Sequence, residues 1–419
     1  MYYAMYVGGV LAVHIGMVHF SERGYPPDVR IHKEVQALSP QHKVTILTEL
    51  VKENERPLEE LGKNYWVSRV PISAPSLPSR IVEKFTLQKV WLRQAIVQFI
   101  EDQKPDLLHV HDFHILPTVL PLALQYELPI VADLHENMPA AQVVYRAADP
   151  LLKRALRAFF NPYWLWRHYE KTTLPQCDRV IVVVPEAAER LLADGLAKEK
   201  IVVVSNREDE TTFTSDLAQC DKEILRKYED KWMITYVGGL GPHRGVDTVV
   251  RALPLLKEKI PNLLMTVVGA VGKQAESLLG LAKQLGVSDF LEVIPWQPFD
   301  KVQSFVHAAK VCLVPHEDFE HTQTTVPHKL FQYMMCGRPV LVSDCRPLAS
   351  VIEEAKAGAI FQAGNEKDCA EKLLAMHKAP EEQEAAGKRG QEAVLGPMAW
   401  RHEAKRLCQM YESLAAELG

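Results

Sequence analysis

Cysteine is scarce in this chain of 419 residues, and its seven cysteines are scattered. Their number is odd, and no two of them form a Cys-x-x-Cys pair. Because a disulfide framework or a zinc site needs paired or clustered cysteines, the pattern excludes both as organising features. It predicts reduced thiols and a cytoplasmic protein.

Other signals are missing as well. No apolar run of about 18 residues or more stands clear of polar residues, so no membrane-spanning helix is predicted. Neither an internal repeat nor a low-complexity tract is present. The net charge of −5 provides no positive field, which argues against a nucleic-acid partner.

The stretch Met1–Phe20 is apolar but makes a poor signal peptide. It lacks a basic leader and a small-residue cleavage site, and it contains His14 and His19. Residues 12–20 are predicted to form the first buried strand. Residues 1–11 are compatible with an extra strand, a membrane-touching tail or an upstream start codon.

The chain has enough apolar material for large cores. Apolar residues make up 47% of it and charged residues 24%, which is the profile of a soluble globular protein. A length of 419 residues suits two domains better than one.

Short apolar runs alternate with helical patterns such as Arg30–Leu38, Thr248–Lys257 and Val302–Ala308. The runs are rich in Val, Ile and Leu without polar alternation, which is typical of parallel strands buried on both faces. The predicted fold class is therefore α/β, with open parallel sheets and helices on both faces. The predicted strands are Ala12–His19, Val44–Leu47, Leu107–Val110, Ile130–Ala132, Val180–Val184, Ile201–Val204, Met233–Val237, Leu264–Val268, Leu291–Ile294, Val311–Val314 and Val340–Val342.

The polar stretch Asn206–Asp216 separates two series of strands and places a domain boundary at residue 206. A last helix, Trp400–Leu418, follows Gly396 and Pro397. The predicted regions are residues 1–206, residues 207–396 and a terminal helical region, residues 397–419, that packs back towards the first domain. Ligands of open α/β sheets bind outside the carboxyl ends of the strands, so two facing domains would share one cleft.

A glycine-rich turn follows the predicted strand Met233–Val237 and runs from Gly238 to Asp247. Such a turn lets backbone amides approach an anion, the next helix adds positive potential, and Arg244 offers a fork of donors for phosphate. An ordinary strand-to-helix turn with a surface arginine has the same pattern. The residues alone leave both interpretations open.

A polar loop follows the predicted strand Val311–Val314, and a helix is predicted to begin near Pro327 with Thr324 or Thr325 as its cap. Free amides at this point would suit a diphosphate. Gln332, on the same helix, is compatible with binding sugar hydroxyls. The alternative, a satisfied core glutamine, is favoured by the local pattern alone.

Polar clusters end two predicted strands of the amino-terminal half. His111 and Asp112 follow one strand, and His135 and Glu136 follow the next. These residue types occur as metal ligands, but there is no HExxH-type spacing. No protein-bound metal is predicted.

The stretch Leu151–Leu174 mixes basic and aromatic residues. That mixture is compatible with an anionic membrane surface. The favoured interpretation is a helix that covers the core with its aromatic side chains on the inner face.

Taken together and in order, these segments resemble glycosyltransferase family 4, a retaining group with the GT-B fold of two Rossmann-like domains. The resemblance runs from about Met17 to the end. Each piece is weak, but their order and spacing are specific. The pieces are the segment 21–30 with Lys33 and Glu34, the segment 133–136, Asn206 with Asp209 and Phe213, the segment 238–240 with Arg244 and Gly245, the segments 327–334 and 336–340, and the late pair Trp400 and Tyr411.

The resemblance implies a role for each matching residue. The first domain would bind the acceptor and the second the nucleotide-sugar donor. His135 would contact the transferred sugar, Arg244 would grip the diphosphate, and Gln332 would reach the ribose. The implied catalytic residues are His135, Arg244 and Glu320, and the implied donor-binding residues are Gly24, Gly239, Arg244, Thr324, Thr325 and Gln332.

The sequence departs from the family pattern in two places. The family often has Arg one residue after the glycine that ends the strand and Lys five residues later; these places are Gly239 and Arg244 here, so one phosphate-binding charge is missing. The family Glu-x7-Glu pair falls on Thr324 and Gln332. The first Glu is therefore unassigned, with Glu317 and Glu320 as candidates to replace it.

The resemblance implies transfer of a sugar from a nucleotide-diphosphate sugar to a glycan or lipid-linked acceptor, with retention and without a cofactor. Polysaccharide biosynthesis with peripheral contact at the inner face of the membrane is expected. The alternatives are a sugar-nucleotide epimerase of the same fold and an inactive homologue that serves as a binding subunit. A dehydrogenase is disfavoured because no G-x-G-x-x-G follows the first strand.

Overall fold

The computed structural model describes residues 5–7, 10–21, 25, 29–51, 55–147, 149–209, 213 and 216–418. The packing divides the chain into two compact units. The first unit comprises Met1–Ser205 together with Arg401–Gly419, and the second comprises Asn206–Trp400.

The first unit contains the strands β1 to β10, and most of its helices lie between them. Its strands are β1 (Met5–Val7), β2 (Val10–Ala12), β3 (His14–Val18), β4 (Lys43–Glu49), β5 (Leu58–Gly62), β6 (Tyr65–Val70), β7 (Leu107–His111), β8 (Ile130–Leu134), β9 (Arg179–Val182) and β10 (Ile201–Val203). Its helices before the boundary are α1 (Val29–Leu38), α2 (Leu77–Thr86), α3 (Arg93–Gln103), α4 (Leu116–Gln125), α5 (Met138–Ala147), α6 (Leu151–Phe160), α7 (Tyr163–Thr173) and α8 (Pro185–Ala193).

Eight of these strands form one sheet in the order β10-β9-β8-β7-β3-β4-β6-β5. All neighbours are parallel except β5 and β6, which pair antiparallel at one edge. The direction of strand addition changes at β3, between β4 and β7, so the carboxyl ends of β3 and β7 mark the switch point where ligands of such sheets bind.

The second unit contains a six-stranded, fully parallel sheet in the order β13-β12-β11-β14-β15-β16. Its switch point lies between β11 and β14. The strands are β11 (Trp232–Val237), β12 (Leu263–Val268), β13 (Leu291–Ile294), β14 (Val311–Val314), β15 (Val340–Ser343) and β16 (Gly358–Phe361). The helices are α9 (Lys222–Lys227), α10 (Val246–Leu256), α11 (Gly272–Gln284), α12 (Phe299–Ala308), α13 (His328–Met335), α14 (Arg346–Ala355), α15 (Glu366–Lys378), α16 (Pro380–Leu395) and, crossing the boundary, α17 (Trp400–Leu418).

Buried aliphatic side chains explain why these elements pack as sheets covered by helices. In the second unit Val249 and Leu253 of α10, one helical turn apart, are fully buried against Ile234 and Met265 of the sheet. Strands of this kind expose neither face, so they show no polar alternation. The α/β fold class predicted from the sequence is confirmed.

The last helix returns to the first unit. The Tyr411 hydroxyl lies 2.6 Å from His109 Nδ1 on β7, and both side chains are buried. The Cys408 thiol donates to the Ala37 carbonyl at the end of α1. The core of the first unit is therefore built from both ends of the chain.

Some sequence predictions need correction. The predicted strand Ala12–His19 is interrupted, because β2 ends at Ala12 and β3 begins at His14. Residues 5–7 form an extra strand that pairs antiparallel with β2, while residues 1–4 and 8–9 lie outside the described residues. The strands β5, β6 and β16 were not predicted.

The expectation for residues 151–174 is half wrong. Helix α7 buries Leu165 and Trp166, as a core-covering helix should, whereas α6 buries none of its residues. Across the described part of the chain, no helix combines the length and apolarity needed to cross a bilayer.

Candidate active site

The glycine-rich turn of the second unit leaves β11 at the switch point. Gly238 has φ +126° and Gly245 has φ +60°, conformations that glycine adopts without strain. A Cβ atom at Gly245 would lie 1.9 Å from the Pro315 carbonyl oxygen, so only glycine lets the turn pass the loop that follows β14. Gly239 is exposed, and a Cβ there would meet no atom within 4 Å. The backbone at Gly239 is thus open to a ligand.

Arg244 lies at the end of the short 3-10 turn Pro242–Arg244, immediately before α10. Its guanidinium is 3.1 Å from His316 Nε2. Burial, together with the charge of Arg244, lowers the pKa of His243 to about 3 and that of His321 to about 4. These neighbouring imidazoles are therefore neutral at neutral pH and add no positive charge to that of Arg244.

Lys329 is a second cation at this place, and the sequence prediction gave it no role. Its Nζ lies 3.9 Å above the ring of Tyr236 and 2.7 Å from where a Cβ of Gly238 would stand. Burial, and then the charge of Arg244, hold the pKa of Lys329 well below its usual range. Among the described residues neither Lys329 nor Arg244 pairs with a carboxylate. The one signal in the sequence is that Lys329 precedes Gln332 by three residues and so shares its helix face.

The loop before α13 differs in detail from its prediction. Pro327 occupies the N-cap of α13, and no side chain caps the helix. Thr324 lies too far upstream, and its hydroxyl donates to the Glu320 and His321 carbonyls. Its backbone N–H also donates, to the His321 carbonyl at 3.3 Å. The prediction that Thr324 or Thr325 caps α13 is therefore wrong.

The remaining polar candidates of the second unit are spread around this loop. Gln332 is half-buried and donates to the Glu208 carboxylate at 3.0 Å. Glu317 accepts a hydrogen bond of 2.8 Å from the Thr248 hydroxyl in the first turn of α10. Glu320 is exposed. The structure thus places Glu317 against the glycine-rich turn and leaves Glu320 at the surface of the loop.

His135 of the first unit lies between two carboxylates just beyond the end of β8. Its Nε2 is 3.1 Å from Asp133 Oδ2, and its Nδ1 is 3.5 Å from Asp112 Oδ1. Burial opposes a charge on the imidazole, but Asp112 and Asp133 prevail and raise the pKa of His135 to about 10. The side chain is therefore cationic at neutral pH. Gly24, which the resemblance assigns to the donor, lies outside the described residues.

A fully buried ionic group supports His135. Arg30 on α1 donates to both oxygens of Asp133, at 2.9 and 3.0 Å, and lies 3.0 Å from the Glu34 carboxylate. Burial would raise the pKa of Asp133, but Arg30 and His135 hold it well below its usual range. Burial, and then the charge of Asp133, raise the pKa of Glu34 to about 8. The group is thus neutralised internally, with Glu34 protonated at neutral pH.

Potential ligand atoms of Glu34, His109, His111 and Asp133 lie within 4.8 Å of one another. This set differs from the four residues whose types suggested ligands in the sequence, since Asp112, His135 and Glu136 are not in it. The Arg30 guanidinium already occupies both oxygens of Asp133. A metal ion would have to displace that cation, so the arrangement fits a salt-bridge network better than a metal centre.

Two α/β units, each with a largely parallel sheet covered by helices, have the architecture of the GT-B class of proteins. Comparison with known families agrees. The family described as "Glycosyltransferase Family 4" matches residues 29–207, and the family described as "Glycosyl transferases group 1" matches residues 219–393. The chain belongs to glycosyltransferase family 4, as the resemblance in the sequence indicated.

Individual relatives are distant. The D-inositol 3-phosphate glycosyltransferase of Nocardia farcinica is 23% identical over 251 residues, which are 58% of this chain and 54% of that protein. The match therefore spans about half the length of this curated relative. Among solved structures, sucrose-phosphate synthase from Thermosynechococcus elongatus has a TM-score of 0.76 at 18% identity and covers 97% of this chain and 100% of that one. The Anabaena protein HepE, in complex with UDP and glucose, has a TM-score of 0.73 at 12% identity and covers 96% and 100%.

Proposed function

We propose that this protein transfers a sugar from a nucleotide-diphosphate sugar to a glycan or lipid-linked acceptor with retention of configuration. The observation that carries the proposal is the pair Arg244 and Lys329 at the switch point of the second unit, without a carboxylate partner among the described residues. Two uncompensated cations beside an open glycine backbone suit a ligand with two phosphates. HepE was solved with UDP and glucose, which supports a ligand of this kind.

Lys329 supplies the positive charge that the family pattern has at this place and that this chain lacks at Gly239. An arginine at position 239 would reach the phosphates from the turn, whereas Lys329 reaches the same turn from α13, with its Nζ beside Gly238. Arg244 then offers a planar fork to one phosphate and Lys329 a point charge to the other. The donor-binding set is completed by Gly24, Gly239, Thr324, Thr325 and Gln332.

The leaving group determines what these cations do. When the bond between the anomeric carbon and the diphosphate oxygen breaks, negative charge grows on the diphosphate, and Arg244 and Lys329 stabilise it. The acceptor hydroxyl forms the new bond on the same face of the sugar, and its proton passes to the departing phosphate oxygen. Configuration is retained by this route without a covalent enzyme intermediate.

His135 and Glu320 are assigned to the sugar. His135 is cationic and held from two sides by Asp112 and Asp133, so its orientation is fixed before substrate arrives. Of the two candidate glutamates, Glu320 is exposed on its loop, whereas Glu317 is half-buried. Glu320 is therefore the carboxylate proposed to contact a sugar hydroxyl.

The proposed setting is the biosynthesis of a polysaccharide or another glycan, in the cytoplasm and at the inner face of the membrane. The decisive experiment measures hydrolysis and transfer with a panel of nucleoside-diphosphate sugars, together with nucleoside-diphosphate binding by calorimetry. Arg244→Ala should weaken diphosphate binding and abolish turnover, while Arg251→Ala, an exposed arginine on α10, should change neither.

Each other outcome has a distinct meaning. Binding without turnover of any donor would identify a binding subunit and contradict the proposal. Conversion of the donor to its epimer without release of the diphosphate would identify an epimerase. Unchanged diphosphate affinity in folded Arg244→Ala would remove Arg244 from the site.

A further inference from the structure

Helices α2 and α6 of the first unit are unusual because neither buries any residue. A helix at the surface of a globular protein normally turns an apolar stripe towards the core. Both helices have such a stripe: Leu152, Leu156 and Phe159 follow at intervals of four and three residues on α6. On these two helices the stripe therefore faces away from the core.

The exposure of the apolar side chains is large. Leu151, Leu152 and Phe159 of α6 are 83%, 75% and 78% exposed, and Leu77 and Phe85 of α2 are 73% and 62% exposed. Folding leaves these side chains in water, so the stripes contribute little to the stability of the unit. Exposed apolar area of this kind is typical of a surface that contacts a membrane or another protein.

The two helices are neighbours. The ammonium group of Lys84 on α2 lies 4.7 Å from the ring centroid of Phe160 on α6. The exposed apolar side chains of residues 77–86 and 151–160 thus belong to one region, which we call the α2–α6 surface.

The charge of the α2–α6 surface is opposite to that of the whole chain. The two helices carry five basic side chains against the single acidic residue Glu83, and Asp149 just before α6 offsets one more charge, which leaves a net charge of +3 on a chain of net charge −5. Asp149 pairs with Lys153 at 2.8 Å and Arg157 at 2.6 Å. The other basic residues of the two helices are Arg80, Lys84 and Arg154.

We propose that the α2–α6 surface docks the protein on an anionic lipid bilayer. Leucine and phenylalanine side chains on short amphipathic helices enter the boundary between headgroups and acyl chains, and the flanking lysines and arginines contact anionic headgroups. The concentration of positive charge on a chain that is otherwise acidic favours this occupant over a second copy of the chain. The inference deepens the proposed function by giving the protein a route to a lipid-linked acceptor.

The experiment is co-sedimentation of the full-length protein with vesicles of phosphatidylcholine alone and with vesicles that also contain phosphatidylglycerol. We expect strong binding only to the anionic vesicles and release by salt, because headgroup attraction is screened. Leu152→Glu/Phe159→Glu should abolish binding. Leu279→Glu, at an exposed leucine of α11 in the second unit, is the matched control and should bind like the unaltered protein.

A second variant tests the charges without touching the apolar side chains. In Arg80→Gln/Arg154→Gln, each lost charge should lower the partition coefficient about fivefold. Equal binding by this variant, or by the double-glutamate variant, would overturn the proposal. A self-associated protein that becomes monomeric in Leu152→Glu/Phe159→Glu and never binds vesicles would show that a second copy covers the surface, which would overturn it too.

Hydrolysis of a soluble donor separates this inference from the proposed function. Neither variant alters a residue assigned to the donor or the sugar, so both should retain that hydrolysis. Vesicle binding by a protein without any transferase activity would contradict the proposed function and leave the docking surface standing. Transferase activity without vesicle binding would support the proposed function and overturn the docking surface.

Discussion

The two polar centres of the molecule treat buried charge in opposite ways. In the first unit the cations Arg30 and His135 and the carboxylates Asp133 and Asp112 form a closed set with as many negative as positive charges. In the second unit Arg244 and Lys329 have no carboxylate partner among the described residues, and the pKa of Lys329 is lowered. The protein's own carboxylates neutralise the positive charge of the first centre, whereas the positive charge of the second centre can be neutralised by an anionic ligand.

This contrast has an energetic basis. A buried ion pair recovers the cost of desolvation through its partner, and removing one partner leaves a costly uncompensated charge. A partly buried cation without a carboxylate partner retains part of its desolvation cost in the free protein. A bound diphosphate would offset that cost. The desolvation cost of these cations therefore contributes to specificity for anions.

Breaking the closed set should have the largest effect. In Glu34→Gln/Asp133→Asn, Arg30 loses the carboxylates of both Glu34 and Asp133, so we expect unfolding to become easier by about 3–5 kcal/mol. Denaturant titration of the double variant and of both single variants checks this. Asp133→Asn alone should cost less than the double variant, because Glu34 can then ionise beside Arg30; strict additivity of the single effects would contradict the description of one coupled group.

Removing His135 should affect turnover more than stability or nucleotide affinity. His135→Ala leaves Asp133 paired with Arg30, so the fold should persist while turnover falls by roughly 10²-fold or more, the scale of a positioned catalytic group. Steady-state kinetics and calorimetry separate the effects, and His168→Ala, at an exposed histidine of α7, is the control. Full activity would show that transfer does not need His135, and a collapse of the melting temperature would show that His135 holds the fold; either result would contradict the prediction.

Replacing a cation of the open centre should trade affinity for stability. Lys329→Met should weaken nucleoside-diphosphate binding about tenfold or more, the scale of a hydrogen bond to a charged group. Without ligand the variant should be as stable as the unaltered protein or more so, because an unpaired cation is gone. Calorimetric affinities with thermal melts check both halves, and a less stable variant of unchanged affinity would assign Lys329 to the fold.

The same centre should take up protons when the diphosphate binds. Burial and Arg244 lower the pKa of Lys329, and a bound anion raises it again, so at a pH above the lowered pKa the complex holds more protons than its separate components. Titration calorimetry in two buffers of different ionisation enthalpy measures this uptake. It should shrink in Lys329→Met, and equal uptake in both proteins would assign the protons to another group.

The smallest effect concerns pH. The pKa of Glu34 rises on folding from its ordinary 4.5 to about 8, so its contribution to stability is fully present below 4.5 and is lost as pH rises through 8. Glu34→Gln should flatten stability across that window. His135 behaves in the same direction between 6.5 and about 10, and its part of the curve should remain. Urea titrations at a series of pH values test this, and an unchanged slope in Glu34→Gln would remove Glu34 from the linkage.

The sequence predicted the central strands well because their burial on both faces leaves continuous Val, Ile and Leu runs, as in β7 and β8. It failed at the edge of the first sheet. Strand β5 reads Leu-Glu-Glu-Leu-Gly and is largely exposed, and β6 alternates buried with half-buried residues. Neither pattern resembles a parallel core strand, because an edge strand has only one covered face.

The candidate site divides in the same manner. His135 directly follows β8, and Arg244 lies in the turn between β11 and α10, so the chain order predicts that both lie near the carboxyl end of a sheet. Lys329 reaches the turn at Gly238 from a helix about 90 residues further along the chain. The spacing of residues along the sequence does not predict this contact, because the contact depends on the pairing of β11 with β14. In the proposed site, the charge that is missing at Gly239 comes from Lys329, which the tertiary structure brings to the turn.

Tyr411 and His109 lie 302 residues apart in the chain, so their contact can form only after the second unit has been synthesised. A ribosome finishes the second unit, Asn206–Trp400, before it releases the residues that complete the first. Domains that are contiguous in sequence fold as they emerge, the amino-terminal one first. Here the first unit is discontinuous in sequence, so His109 lacks its contact with Tyr411 until the residues that follow the second unit have been synthesised.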